Sequence, residues 1–115
     1  MKQFRLQELK SEVSTHIFES FLPGKEIYKG GMFFHKPGEV THANDHGSSV
    51  HVHEDCELFF FYQGKAEMEV DGVRYPAGAG DLFLIEPGED HHMILGPEDY
   101  AVGTWCHATE MEKVI

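Results

Sequence analysis

The sequence predicts an all-β domain, a sandwich or closed barrel, on three observations. Past Lys25, turn-forming residues recur at intervals close to the roughly 8–12 residues expected of such folds: Gly30-Gly31, Pro37-Gly38, Asn44-Asp45, Gly64, Asp71-Gly72, Pro76 with Gly78 and Gly80, Pro87-Gly88 and Gly96-Pro97. No stretch of about a dozen residues in that region keeps a helical period of 3.6 without meeting one of these breakers. Between them lie short runs rich in β-branched and aromatic residues. The chain has 115 residues, one domain's worth, and its 41% hydrophobic content with nine Phe is too apolar for a disordered segment.

In chain order, Phe4, Leu6 and Leu9 fit a short amphipathic turn or helix, and Val13 to Leu22 an early strand that Pro23-Gly24 ends. The strands expected after it are Ile27–Phe34, Val50–His53, Glu57–Gln63, Ala66–Val70, Asp81–Ile85, His92–Leu95 and Tyr100–Cys106. One hairpin is sharply specified. Ala66, Met68 and Val70 alternate with Lys65, Glu67, Glu69 and Asp71, which gives an apolar and a charged face at period 2. Asp71-Gly72 then supplies the positive φ of a tight turn. Leu58, Phe60 and Tyr62 oppose Glu57, Phe59 and Phe61, so this strand should be covered on both sides.

Nine Lys and Arg against twenty Asp and Glu give a formal charge of −11. Residues 1–56 carry six basic and eight acidic side chains, residues 57–115 three and twelve. A chain so acidic, with no basic stripe, is excluded as a nucleic-acid binder. The N-terminal residues contain no apolar leader, and the longest apolar run, Leu58 to Tyr62, is too short to span a membrane. The two cysteines, Cys56 and Cys106, do not make a disulfide framework. They read as packed thiols of a reducing compartment, and the cytoplasm is the expected location.

Nine histidines are many for this length. His51 and His53, two apart on a strand, would point to one face with Cα atoms roughly 7 Å apart and could converge on one metal. Glu57, four residues on, would stand about 13 Å away on a straight strand, so it joins them only if the chain turns near Glu54-Asp55. Beyond that turn Glu57 shares a face with Phe59 and Phe61, which places a carboxylate at the mouth of an aromatic interior. Further on, Gly80-Asp81 leads an apolar strand into Pro87-Gly88, and His91-His92 follow that rigid turn. Each piece alone is an ordinary set of surface polar residues; their order and spacing together are not.

This spacing resembles the two motifs of the cupin family. His51-x-His53, three residues, Glu57, six residues, Gly64 matches the first, although the leading Gly47 stands three residues before His51 rather than five. Gly80, five residues, Glu86-Pro87-Gly88, two residues, His91 matches the second, with Glu86 in place of Pro and Leu95 where the family often has Asn. The resemblance implies a double-stranded β-helix, or jelly-roll barrel, over residues 26–107. Residues 1–25 would then be a short N-terminal extension (strand or short helix) and residues 108–115 a C-terminal tail. It further implies that His51, His53, Glu57 and His91 ligate one divalent metal ion, Fe, Mn, Ni or Zn, with a position open for substrate. His92 competes with His91 for the fourth place, and spacing favours His91.

His42 and His46, in the polar stretch before the first motif, are candidates for a general base or for orienting a ligand histidine; the competing reading is a solvated loop. Asp55, Glu89 and Asp90 read as solvated, and His16 and His35 as structural or exposed. Phe59 and Phe61 read as core and are also candidate pocket walls, and Trp105 and His107, sharing a face of the last strand, are candidate pocket residues. Phe83 and Tyr100 read as core. Two functions of different class fit. The first is a small metal-dependent enzyme of isomerase, dioxygenase or lyase type acting on a small polar, oxygen-rich molecule. The alternative is a metal-holding protein that binds or senses such a ligand without turnover. A homodimer is expected, with no nucleic-acid or membrane partner.

Overall fold

The computed structural model describes residues 1–10, 22, 24–41 and 54–110. Among them the chain forms the strands β1 (Lys2–Arg5), β2 (Lys25–His35), β3 (Cys56–Val70), β4 (Val73–Gly78), β5 (Asp81–Ile85), β6 (His91–Ile94) and β7 (Ala101–Glu110), with a single 3₁₀ turn at Leu6–Glu8. Every pairing between them is antiparallel. The expected strand at Val50–His53 and all of Val13–Leu22 but Leu22 lie outside the described residues. Residues 2–5, within the expected N-terminal extension (strand or short helix), form a strand that pairs with β5. β7 runs on past the expected barrel end at residue 107 to Glu110.

β3 organises the barrel. Its first half lies between β5 and β7 in the sheet β1-β5-β3-β7-β2, and its second half pairs with β4 and β6. Two strands separated at Gly64 were expected; one strand of fifteen residues forms. Gly64 is a bend within it, at φ 81°, and the register against β7 slips between Phe61 and Gln63. That bulge reverses which positions face inward. Before it, the odd-numbered Phe59 and Phe61 enter the core; after it, the even-numbered Ala66, Met68 and Val70 do. They meet Phe33, Phe83, Ile85 and Met93 in one apolar cluster.

The hairpin β3–β4 turns as expected, with positive φ at both Asp71 (49°) and Gly72 (83°). β4 itself was not anticipated, because Pro76 reads as a breaker. Among the described residues β4 pairs only with β3, so it is an edge, where a residue without an N–H is tolerated. At the next turn, the buried Asp81 accepts a hydrogen bond from the Gly78 N–H (2.8 Å) and pairs with Arg5 Nε (3.2 Å), fastening β1 to the β4–β5 turn.

The other face of β3 is covered only in part. Leu58 is buried with Cys56, Leu84 and Ala108, and Leu22 packs against them. Farther along, Tyr62 is 44% exposed, and Met32 and Phe34 on β2 are 68% and 58% exposed. Tyr100, read as core, is exposed and stacks on Phe34. Cys56 and Cys106 are free thiols, and burial raises the pKa of both. No helix among the described residues is long and apolar enough to cross a membrane.

A Cβ on Gly64 would overlap the Tyr100 carbonyl oxygen, and its φ is one that L-residues adopt only under strain. Gly64→Ala should therefore destabilise the fold by at least about 2 kcal/mol in urea unfolding. A change below about 0.5 kcal/mol, the range of an ordinary surface substitution, would contradict this role.

Candidate metal and ligand site

β2, β3, β6 and β7 enclose a cavity of about 340 Å³. Phe33, Phe59, Met68, Met93 and Trp105 make its apolar walls, and Lys29, His35, Thr41, Glu57, His91 and His107 its polar lining. The volume suits a small molecule. Gly31 faces the Trp105 indole so closely that a Cβ there would come within 3.2 Å of the ring nitrogen, so the absent side chain makes room for the ring.

Glu57 is the second residue of β3, just after the chain bends at Glu54-Asp55, as the spacing requires. It is only 7% exposed. A buried carboxylate needs charged or hydrogen-bonding partners, and Glu57 has one from each of two neighbouring strands. His91 Nε2 lies 2.9 Å from Oε1, and His107 Nε2 lies 3.4 Å from Oε2.

His91 is held by the turn before it. Its Nδ1 is 3.0 Å from the Glu89 carbonyl oxygen. A carbonyl only accepts, so Nδ1 carries the donated proton, and in a neutral ring Nε2 turns a lone pair toward the Glu57 carboxylate. Two acceptors 2.9 Å apart require a cation or a proton between them. This donor pair, one imidazole nitrogen and one carboxylate oxygen, fits a divalent metal. His92 is oriented otherwise. It pairs with Glu69 while His91 pairs with Val70, and its ring donates from Nδ1 to the Thr41 carbonyl (3.0 Å) and sets Nε2 3.1 Å from Asp90. It is absent from the cavity lining.

His107 has a partner on each side. Nδ1–H donates to the Asp55 carboxylate, 3.1 Å from one oxygen and 3.2 Å from the other, while Nε2 faces Glu57. The Tyr28 hydroxyl donates to the same carboxylate, a bond that raises the tyrosine pKa. Asp55, read as solvated, is thus the residue that orients His107. The cross-strand pairing makes this possible: Glu57 lies opposite His107 on β7. Among the described residues no group of three or more His, Cys, Asp or Glu is placed to hold a metal by itself.

Of the predicted site residues, Glu57, His91, Phe59, Trp105 and His107 line this cavity together. Phe61, read both as core and as a candidate pocket wall, is fully buried in the core, edge-on to Phe33 and Phe83. His51, His53, His42 and His46 lie outside the described residues. Sequence reasoning passed over Lys29, His35, Thr41, Met68 and Met93 as lining, and Asp55 and Tyr28 behind it. Only the i, i+2 spacing of Asp55 and Glu57 offered a signal, and it was weak.

A small antiparallel barrel with a histidine–carboxylate pair in its apolar cavity is the architecture that the motif spacing anticipates. The sequence profile of the family described as "Cupin domain" matches residues 36–102, more than half of the chain. The protein belongs to the cupin family, and its fold is the jelly-roll barrel. Solved structures similar to it include a cupin protein from Bacteroides fragilis (TM-score 0.58, 21% identity, covering 78% of this chain and 69% of that one). A predicted oxalate decarboxylase from Thermotoga maritima gives a TM-score of 0.60 at 17% identity, over 70% of this chain and 65% of its own. A Cupin 2 conserved barrel domain protein from Salinispora arenicola gives 0.57 at 22%, over 72% of each. At such identities the likeness is one of fold. No curated protein matches the sequence.

Burial disfavours the charged form of His91, but the hydrogen bond to Glu57, the Glu89 carbonyl and the nearby charges of Glu57 and Asp90 outweigh it, and its pKa is raised. A raised folded-state pKa means that the protonated pair stabilises the metal-free fold fully below about pH 6.5, and that this contribution is lost as pH rises through the raised value. In metal-free protein, His91→Gln should cost about 2 kcal/mol near pH 6. The gap from wild type should narrow by about pH 9; a gap that stays constant in urea unfolding would contradict the pairing.

Proposed function

We propose that this protein is a small metal-dependent enzyme of isomerase, dioxygenase or lyase type, acting on a small polar, oxygen-rich molecule. The observation that carries the reading is His91 Nε2 standing 2.9 Å from Glu57 Oε1 in a cavity with apolar walls. Glu57 and His91 would hold one divalent ion together with His51 and His53, the remaining positions of the matching motif. Bound there, the ion would supply Lewis acidity to substrate oxygens at its open position.

The chain's own residues have distinct tasks in this reading. Phe33, Phe59 and Trp105 exclude water and strengthen each polar contact inside. Asp55 fixes the ring of His107 through Nδ1, so that Nε2 can hold or move a proton at the cavity. This Asp55–His107 pair favours turnover over the alternative of a non-catalytic binding or sensing protein, which needs no oriented base.

The partner reading rests on the outer sheet face. Met32, Phe34 and Tyr62 together leave an apolar surface of the kind that a second copy covers, so the protein is proposed to act as a homodimer, in the cytoplasm.

Elemental analysis of the purified protein should find about one divalent ion per chain, largely lost in His51→Ala and Glu57→Ala. Equal metal content in all three would sink the metal-site assignment. In sedimentation equilibrium at micromolar concentration the wild type should be dimeric and Met32→Glu shifted toward monomer; a monomeric wild type would overturn the dimer.

A further inference from the structure

Lys29 is a basic side chain in the lining of a cavity that belongs to a strongly acidic chain. A backbone irregularity puts it there. The β2–β7 register slips between Ile27 and Lys29, leaving Tyr28 as the extra residue. Ile27, opposite Ala108, points to the outer face, whereas Lys29, two residues on and itself exposed at the cavity rim, stands opposite His107 on the inner one. Without the bulge, two residues that far apart would share a face. The same bulge frees Tyr28 to reach Asp55.

Among the described residues Lys29, like Lys2, Lys10, Lys25 and Lys36, forms no ion pair with an acidic side chain, whereas Arg5, Lys65 and Arg74 each do; of these unpaired lysines Lys29 is the one in the cavity lining. Lys29 lies opposite His107, and His107 opposite Glu57. The three therefore form a row across adjacent strands, and Lys29 and Glu57 are two strand spacings apart at the backbone, about 10 Å. The aromatic walls Phe33 and Trp105 belong to the same two strands as Lys29 and His107.

We infer that Lys29 is the anion anchor of the cavity, and that the ligand is a small carboxylate with its charged group at Lys29 and metal-chelating oxygens at the Glu57–His91 end. This rests on the proposed metal site and narrows its substrate class from oxygen-rich to anionic. A cation at the rim of an otherwise acidic molecule also draws such an anion in against the net charge. The row sets the ligand's length: a chelating group and a carboxylate on opposite sides of one flat, small body.

The test uses 3,4-dihydroxybenzoate, which carries a chelating diol across one ring from a carboxylate, and its neutral counterpart 3,4-dihydroxybenzamide. Calorimetric titrations compare wild type, Lys29→Gln and Lys29→Arg loaded with zinc, which has no redox chemistry to consume the diol. Wild type should bind the acid about tenfold more tightly than the amide. Lys29→Gln should abolish the difference while keeping the same zinc content, and Lys29→Arg should retain most of it. The inference is overturned if the acid does not bind wild type, if wild type shows no preference for it, or if Lys29→Gln keeps that preference. Failure of the metal reading is seen separately, as absence of zinc by elemental analysis. The acid–amide comparison on metal-free protein then still reports on Lys29, because the carboxylate contact does not pass through the metal.

Discussion

The buried Glu57 carboxylate is the constraint around which the cavity is arranged. An anion withdrawn from water must be compensated where it stands, by charged or hydrogen-bonding groups in good geometry. Glu57 lies on β3 and draws its partners from β6, through His91, and from β7, through His107. The position of one charge therefore ties three strands together. His107 is in turn fixed by Asp55, and Asp55 by Tyr28, so the compensation extends as a chain from the cavity to the rim.

That arrangement depends on how β3 is built. A strand serving two sheets has to present apolar side chains inward along its whole length, yet the sheets do not share a plane. The bulge before Gly64 resolves the conflict by changing which positions face inward. Glu57, Phe59 and Phe61 then belong to the same interior as Ala66, Met68 and Val70, although the two sets are of opposite parity. A second bulge, on β2, serves the site in the same way by placing Lys29 inward and Ile27 outward. Both irregularities re-aim side chains.

Much of the acidity lies apart from the chemistry. Glu67 and Glu69 sit on the charged side of β3 and pair with Arg74 on β4. Asp81 fastens β1 to a turn. Glu57 and Asp55 bond directly to the cavity's histidines, Glu39 pairs with the lining His35, and the charge of Asp90 acts on His91. The cavity is thus a locally balanced, partly basic place in a molecule whose surface is anionic, with a separate apolar patch on the outer face of the larger sheet.

What the sequence determined by itself is what local periodicity encodes. Turn spacing set the all-β class, Asp71-Gly72 set its hairpin, and the i, i+2 alternation put Glu57 and Phe59 on one inner face. The motif spacing singled out His91 after the Pro87-Gly88 turn. Only the tertiary structure decided the rest. Alternation along one strand says nothing about which residue lies opposite on the next, so Asp55–His107 and the row from Lys29 to Glu57 emerged with the register. Pro76 read as a breaker because its tolerance depends on β4 being an edge, and Phe61 read as pocket wall because the strand's bend toward the core lies in the packing around Gly64. Local pattern fixes which face a residue takes; the cross-strand register and the bulges that shift it fix which residues meet in the cavity.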